Sequence, residues 1–144
     1  MTGLVSRRYT LPRSASLKRR NWIRPLFDRT QAKDVVSVAS GCIRILIRIV
    51  SNEQSVRGKR VFTGFSAGSG IRSAVDRNHI KRRLRESYRL NQEVIRDCLP
   101  PSGILTLMIL YRHKSPKTFQ EIDSDLRRSL HAAALKIDEA IKHG

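Results

Sequence analysis

Between Ala74 and Gln92 the chain reads AVDRNHIKRRLRESYRLNQ, and no other stretch constrains the fold as much. It contains no Gly or Pro and is rich in good helix formers. Asp76, near its start, is placed to accept hydrogen bonds from the unpaired N–H groups of a helix N-terminus. Ile80, Leu84, Tyr88 and Asn91 recur at helical spacing, with Ile95 continuing the line, so one side faces a core. Lys81, Arg82, Arg85 and Arg89 share the opposite side with Asn78, while Arg77 and Arg83 fall at the edge of the apolar side. The spacing therefore predicts a helix with a ladder of cations on its outer face.

On a helix of mixed Lys and Glu such a ladder is an ordinary solvated surface. Here Glu86 is the only acid between Arg77 and Arg89, and like charges at i,i+4 repel. A polyanion that neutralises the ladder is the economical reading. Phosphate oxygens suit it, because Arg offers planar bidentate donors and Lys a mobile point charge. The whole chain agrees: of 144 residues 29 are Lys or Arg and 12 are Asp or Glu, a formal net charge of +17. That imbalance points to RNA, DNA or an anionic membrane surface. No apolar run approaches the roughly 20 residues needed to span a bilayer, so no membrane role is expected. Hydrophobic residues make up 40% of the chain, enough for a core, and the length suits one domain. Cys42 and Cys98 have neither metal-type spacing nor a disulfide framework, and read as reduced thiols of a cytoplasmic protein.

The first twenty residues are basic and contain no acid. They suit a flexible basic arm, over residues 1–10, ahead of a single domain at 11–144. A mitochondrial-type targeting segment shares that composition, but Pro12 interrupts the long amphipathic helix it would need. No apolar region of a secretory signal is present. In LKRRNWIRPLFDR (17–29), Trp22, Ile23, Leu26 and Phe27 form an apolar cluster with interleaved cations and a short helix is expected. Packing onto the domain accounts for part of this set, and an aromatic here could instead stack on an unpaired base.

Cys42 to Val50 reads as a strand, with Ile43, Ile45, Ile47 and Ile49 alternating with Arg44, Leu46, Arg48 and Val50. The isoleucine face belongs against helices. The face with Arg44 and Arg48 is mixed, and fits a basic groove or simple exposure equally well. Arg60 to Ser66 is a further strand, and Ala67 to Ser73 is a Gly/Ser connection with no GK[ST] phosphate-loop pattern. Pro100-Pro101-Ser102-Gly103 forces a turn before Ile104 to Tyr111, an almost continuous apolar run that suits a central strand. Thr118 and Glu121 have capping-box spacing, and Ile122, Leu126, Leu130, Ala133 and Ile137 then line one helical face. The order is helix, two or three strands, basic helix, strand, helix. That is an α+β chain, a two-layer α/β sandwich with helices packed on a small mixed sheet.

No catalytic constellation is visible. His79, His113, His131 and His143 lack ligand spacing with each other or with the cysteines. His79 lies within the basic helix and reads as another RNA-facing donor. Asp123 and Asp125 are accounted for by the dipole of the last helix. No catalytic residue and no metal ligand is assigned.

The stretch GFSAGSGIRSAVDRNHIKRRLRESYR (64–89) resembles the signature of the bacterial ribonuclease P protein component. Arg77-Asn78, Ile80-Lys81-Arg82 and Arg85-Glu86 match that signature, and His79 stands where the family usually has Arg. LKRRNWIRPLF resembles the family's first helix, with Ile23 and Phe27 at its apolar or aromatic positions, and Arg112 matches a late Arg. Ser69-Gly70 departs from a Lys-Lys pair common in the family, and Arg72 from its following Gly.

The resemblance implies the protein subunit of a ribonucleoprotein endoribonuclease that removes the 5′ leader of precursor tRNA. It implies that the RNA subunit catalyses and holds Mg²⁺, that the partners are ribonuclease P RNA and precursor tRNA, and that no protein partner is required. It also implies a left-handed βαβ crossover, opposite to the usual rule. By the same resemblance Arg77, Asn78, His79, Lys81, Arg82, Arg85 and Arg89 would grip the RNA subunit. Phe27, with Trp22, Ile23, Arg44 and Arg48, would hold the leader. Two alternatives are a non-enzymatic RNA-binding protein such as a ribosomal protein, and a DNA-binding regulator with this helix in the major groove.

Overall fold

The computed structural model of the chain describes residues 26–27, 35–50, 61–98 and 104–143. Among them are strands β1 (Val35–Ser40), β2 (Ile43–Val50), β3 (Val61–Ser66) and β4 (Ile104–Tyr111). Helices α1 (Ala74–Asn91) and α2 (Glu93–Arg96) lie between β3 and β4, and α3 (Phe119–His143) follows β4. Leu26 and Phe27 are helical. The strands form one mixed sheet in the order β1-β2-β4-β3, antiparallel except for the β3–β4 pair. A parallel pair needs a crossover, and α1 with α2 supplies it.

Strand period and register decide what covers each face. Ile43, Ile45 and Ile47 pair with Tyr111, Ile109 and Leu107, so these side chains share a face. Against it α1 lays Ile80, Leu84 and Tyr88, and α3 lays Ile122, Leu126, Leu130, Ala133 and Ile137, all in one buried core. The expected isoleucine face and both helical stripes are thus in place. The other face carries Arg44, Leu46 and Arg48 opposite Leu110, Met108 and Thr106. There a smaller cluster joins Leu26 to Leu46, Phe62, Ile104 and Met108. Both faces of β4 are therefore covered, which is why its sequence is apolar nearly throughout.

One open count is settled and two sequence expectations change. A third strand, β1, precedes the basic helix, where the count stood at two or three. It is an edge strand in which only Val38 is buried, so VVSVAS carries a weak apolar alternation. The N-cap of α1 is Ser73, not Asp76: the Ser73 hydroxyl accepts from the Asp76 N–H at 3.3 Å, which puts Asp76 inside the first turn.

Asp123 and Asp125 also do more than complement a dipole. Asp123 accepts from the buried Ser87 hydroxyl at 2.7 Å and from Asn91 Nδ2 at 3.1 Å, which ties α3 to α1. Asp125 accepts from the Cys42 N–H at 3.0 Å in the β1–β2 turn. Gly41 in that turn has φ +55, and a Cβ there would collide with the Asp125 carboxylate, so the turn needs glycine on both counts. The expected capping box is formed: the Glu121 N–H bonds Thr118 Oγ1 at 3.2 Å and the Thr118 N–H bonds Glu121 Oε2 at 3.0 Å.

Candidate nucleic-acid interface

α1 presents its cations because its other side is fixed in the core. Asn78, His79, Lys81, Arg82 and Arg85 are exposed on one continuous outer surface. Arg85 is not loose there: its guanidinium carbon lies 5.7 Å from the centroid of the Phe65 ring, and Phe65 meets Tyr88 edge-on. A cation–π contact orders the side chain without neutralising it. Phe65 lies on β3 and is distant in sequence from Arg85, so no helical spacing could have revealed this support.

The two arginines at the edge of the apolar side have local partners. Arg77 donates to the Ile71 and Arg72 carbonyls at 3.0 and 2.7 Å, bracing the loop that enters α1. Arg83 donates to the Lys117 carbonyl at 2.7 Å, joining α1 to the loop before α3. Arg89 pairs with Glu86, donating from Nε at 3.0 Å and forming an i,i+3 ion pair. Its guanidinium holds the Glu86 carboxyl below the usual carboxylate range. Of the seven residues expected to grip RNA, five form the open surface, while Arg77 and Arg89 also hold other parts of the chain.

A second basic surface lies on the opposite face of the sheet. Arg44 is exposed and donates from Nε to Ser37 Oγ at 3.0 Å, so β1 orients it. Arg48 lies four residues further along β2, about 13 Å away at strand rise. Its Nε is buried with no hydrogen-bond partner among the described residues, a state that costs free energy until an acceptor is supplied. Near this face Leu26 is buried at 4% exposure while Phe27 next to it is 52% exposed. Leu26 is therefore packed into the domain, and Phe27 is left exposed. Trp22 and Ile23 lie outside the described residues, as does the proposed arm at 1–10.

Arg112 bonds the Gly41 carbonyl from its side chain at 3.2 Å and the Cys42 carbonyl from its backbone at 2.8 Å, clasping the β1–β2 turn. Burial and the Asp125 carboxylate push the Cys42 thiol up to about 12, away from thiolate chemistry at neutral pH. Among the described residues no group of three or more His, Cys, Asp or Glu is placed to hold a metal ion. No described helix is long and apolar enough to cross a membrane. The site is a pair of basic surfaces suited to binding and orienting a polyanion.

Comparison with known families and structures bears on which polyanion. The family model for Ribonuclease P matches residues 11–134. Among solved structures, the Staphylococcus aureus RNase P protein is 20% identical, with a TM-score of 0.58 over 83% of this chain and 94% of that one. A mutant of that protein, described as defective in mRNA degradation activity, is 18% identical, with a TM-score of 0.60 over 92% and 93%. The RNase P protein from Thermotoga maritima is 20% identical, with a TM-score of 0.58 over 81% and 96%. At these identities the structures speak for the fold, the mixed four-stranded sheet with its helices. No curated protein sequence matches the chain.

Proposed function

This chain belongs to the Ribonuclease P family and is by that membership a ribonuclease P protein subunit; from that premise we propose that it joins a catalytic RNA and helps remove the 5′ leader of precursor tRNA. The observation that carries the residue-level reading is the outer surface of α1, five exposed polar or cationic groups broken by one acid that is already paired. Asn78, His79, Lys81, Arg82 and Arg85 contact phosphates and base edges of the RNA subunit. Arg77 acts mainly by fixing the loop ahead of them, and Arg89 by restraining Glu86.

The opposite face takes the single-stranded leader. Phe27 stacks on a base, Arg44 and Arg48 hold phosphates, and an incoming phosphate oxygen supplies the acceptor that Arg48 Nε lacks among the described residues. Trp22 and Ile23 belong to the same set by resemblance. With the RNA subunit on one side of the sheet and the leader on the other, the protein is a cationic wedge between two polyanions that repel each other. By the resemblance to the family, Mg²⁺ is held mainly by the RNA subunit. The protein's own part is to screen charge, orient the leader and stabilise the assembled geometry, in the cytoplasm and without a further protein partner.

The test is cleavage of a precursor tRNA at low Mg²⁺ by the ribonuclease P RNA of the same source, with and without the protein. Cleavage at the mature 5′ end is expected only with both. Tight RNA binding without stimulated cleavage would overturn the proposal in favour of a passive RNA-binding role. Arg85→Ala is expected to weaken assembly with the RNA.

A further inference from the structure

Where the loop after β4 meets the start of α1, the surface opens into a depression of about 610 Å³. Ser69, Gly70, Arg72 and Asp76 line it from one side and Lys114 and Pro116 from the other. The two loops touch at Gly70. A Cβ built there would stand 3.3 Å from the His113 carbonyl oxygen and 3.5 Å from Lys114 Cα. A larger residue at 70 would press on that backbone, so Gly70 allows Lys114 to arrive at this point of the surface.

Arg72 and Lys114 are both exposed, and neither side chain has a hydrogen bond or ion pair with a described residue. The carbonyl of Arg72 is held by the Arg77 guanidinium at 2.7 Å, which fixes the backbone beneath its side chain. Among the described residues Asp76 is the only acid on the rim. Two unpaired cations therefore face one carboxylate, and the exposed ladder of α1 begins at Asn78 on the same helix.

We infer that Arg72 and Lys114 form a second phosphate-contacting edge, which extends the RNA-subunit surface of α1 across this depression and replaces in space the cations missing at Ser69-Gly70. The ligand is the phosphodiester backbone of the RNA subunit. The two side chains carry the inference, not the helix start, whose Asp76 N–H is already taken by Ser73. It rests on the reading of α1 as the RNA-subunit surface. Arg72 is visible in the sequence two residues after Gly70, whereas the charge of Lys114 returns from a loop distant in the chain.

The experiment measures the salt dependence of binding between the full chain and the ribonuclease P RNA of the same source. Lys81→Ala on the α1 ladder is the positive reference, and Lys136→Ala, exposed on α3, is the negative one. Lys114→Ala and Arg72→Ala are each expected to lower the log–log slope by about 0.7–0.9, one phosphate contact, with thermal unfolding unchanged. Adding Ser69→Lys to the Lys114→Ala chain is expected to restore the slope, because the cation returns to the same rim. A slope that falls with Lys81→Ala but not with Arg72→Ala and Lys114→Ala overturns the inference and leaves the α1 reading standing. A slope unmoved by Lys81→Ala overturns both. Loss at Lys114→Ala that Ser69→Lys fails to restore overturns the spatial replacement.

Discussion

Leu26 and Phe27 are adjacent apolar residues with opposite fates, one 4% and the other 52% exposed. Burial of Leu26 among Leu46, Phe62, Ile104 and Met108 anchors this point of the chain, and Phe27 makes no comparable contribution to the core. Phe27→Ala is thus expected to leave the unfolding transition in place and to weaken leader-bearing precursor by roughly 1–3 kcal/mol, the range of one base stack. Affinities of the assembled enzyme for precursor and for mature tRNA check this; equal loss for both would remove Phe27 from the leader site.

Cys42 gives a prediction in pH. The folded state retains a thiol proton up to about 12, whereas the unfolded chain releases it near 9.0. Stability is therefore fully present below the lower value and falls as pH rises through that window. Burial and the neighbouring Cys42 push Tyr111 from 10.0 up to about 12, which adds to the loss over the upper part. Urea midpoints across the window are expected to decline, and Cys42→Ala is expected to flatten the decline.

At the scale of elements, α1 is held by its seam with α3 as well as by the sheet. Asp123 accepts from Ser87 and Asn91 across that seam and pairs with Arg127 on its own helix. Asp123→Ala would leave the fully buried Ser87 hydroxyl without this acceptor, at a cost of about 1–3 kcal/mol. Thermal melting is expected to drop by several degrees, while Ser124→Ala, exposed beside it, leaves it unchanged. The apolar stripes of α1 and α3 were legible because a 3.6 period survives any context. So was the Thr118–Glu121 box, because its partners are three residues apart. β1 was only half legible, since an edge strand needs little apolar alternation and gains its identity from pairing with β2. The cap of α1 was misplaced because Asp76 and Ser73 are both good caps, and only the backbone path selects between them.

At the scale of the whole molecule, a formal charge of +17 sits on a fold whose two candidate surfaces face opposite ways. If Lys81, Arg82 and Arg85 each neutralise one phosphate, the log–log salt slope for RNA-subunit binding should be steeper than about −2. A titration series from low to moderate salt measures it, and a shallow slope would mean that these cations stay solvated in the complex.

What the sequence determined alone is local or additive. Helical and strand periods, the density of cations along α1 and the net charge can be read without knowing where the chain goes, and they sufficed for an α+β fold that binds a polyanion. Tertiary structure decided everything that depends on residues far apart in the chain meeting. Phe65 beneath Arg85, Ser37 on Arg44, Asp125 against Gly41 and Lys114 beside Gly70 are such meetings. So is the division between arginines that brace the fold and those left open. Coulomb and hydrogen-bond energies depend on distance in space, and sequence separation does not specify that distance once the chain turns back on itself.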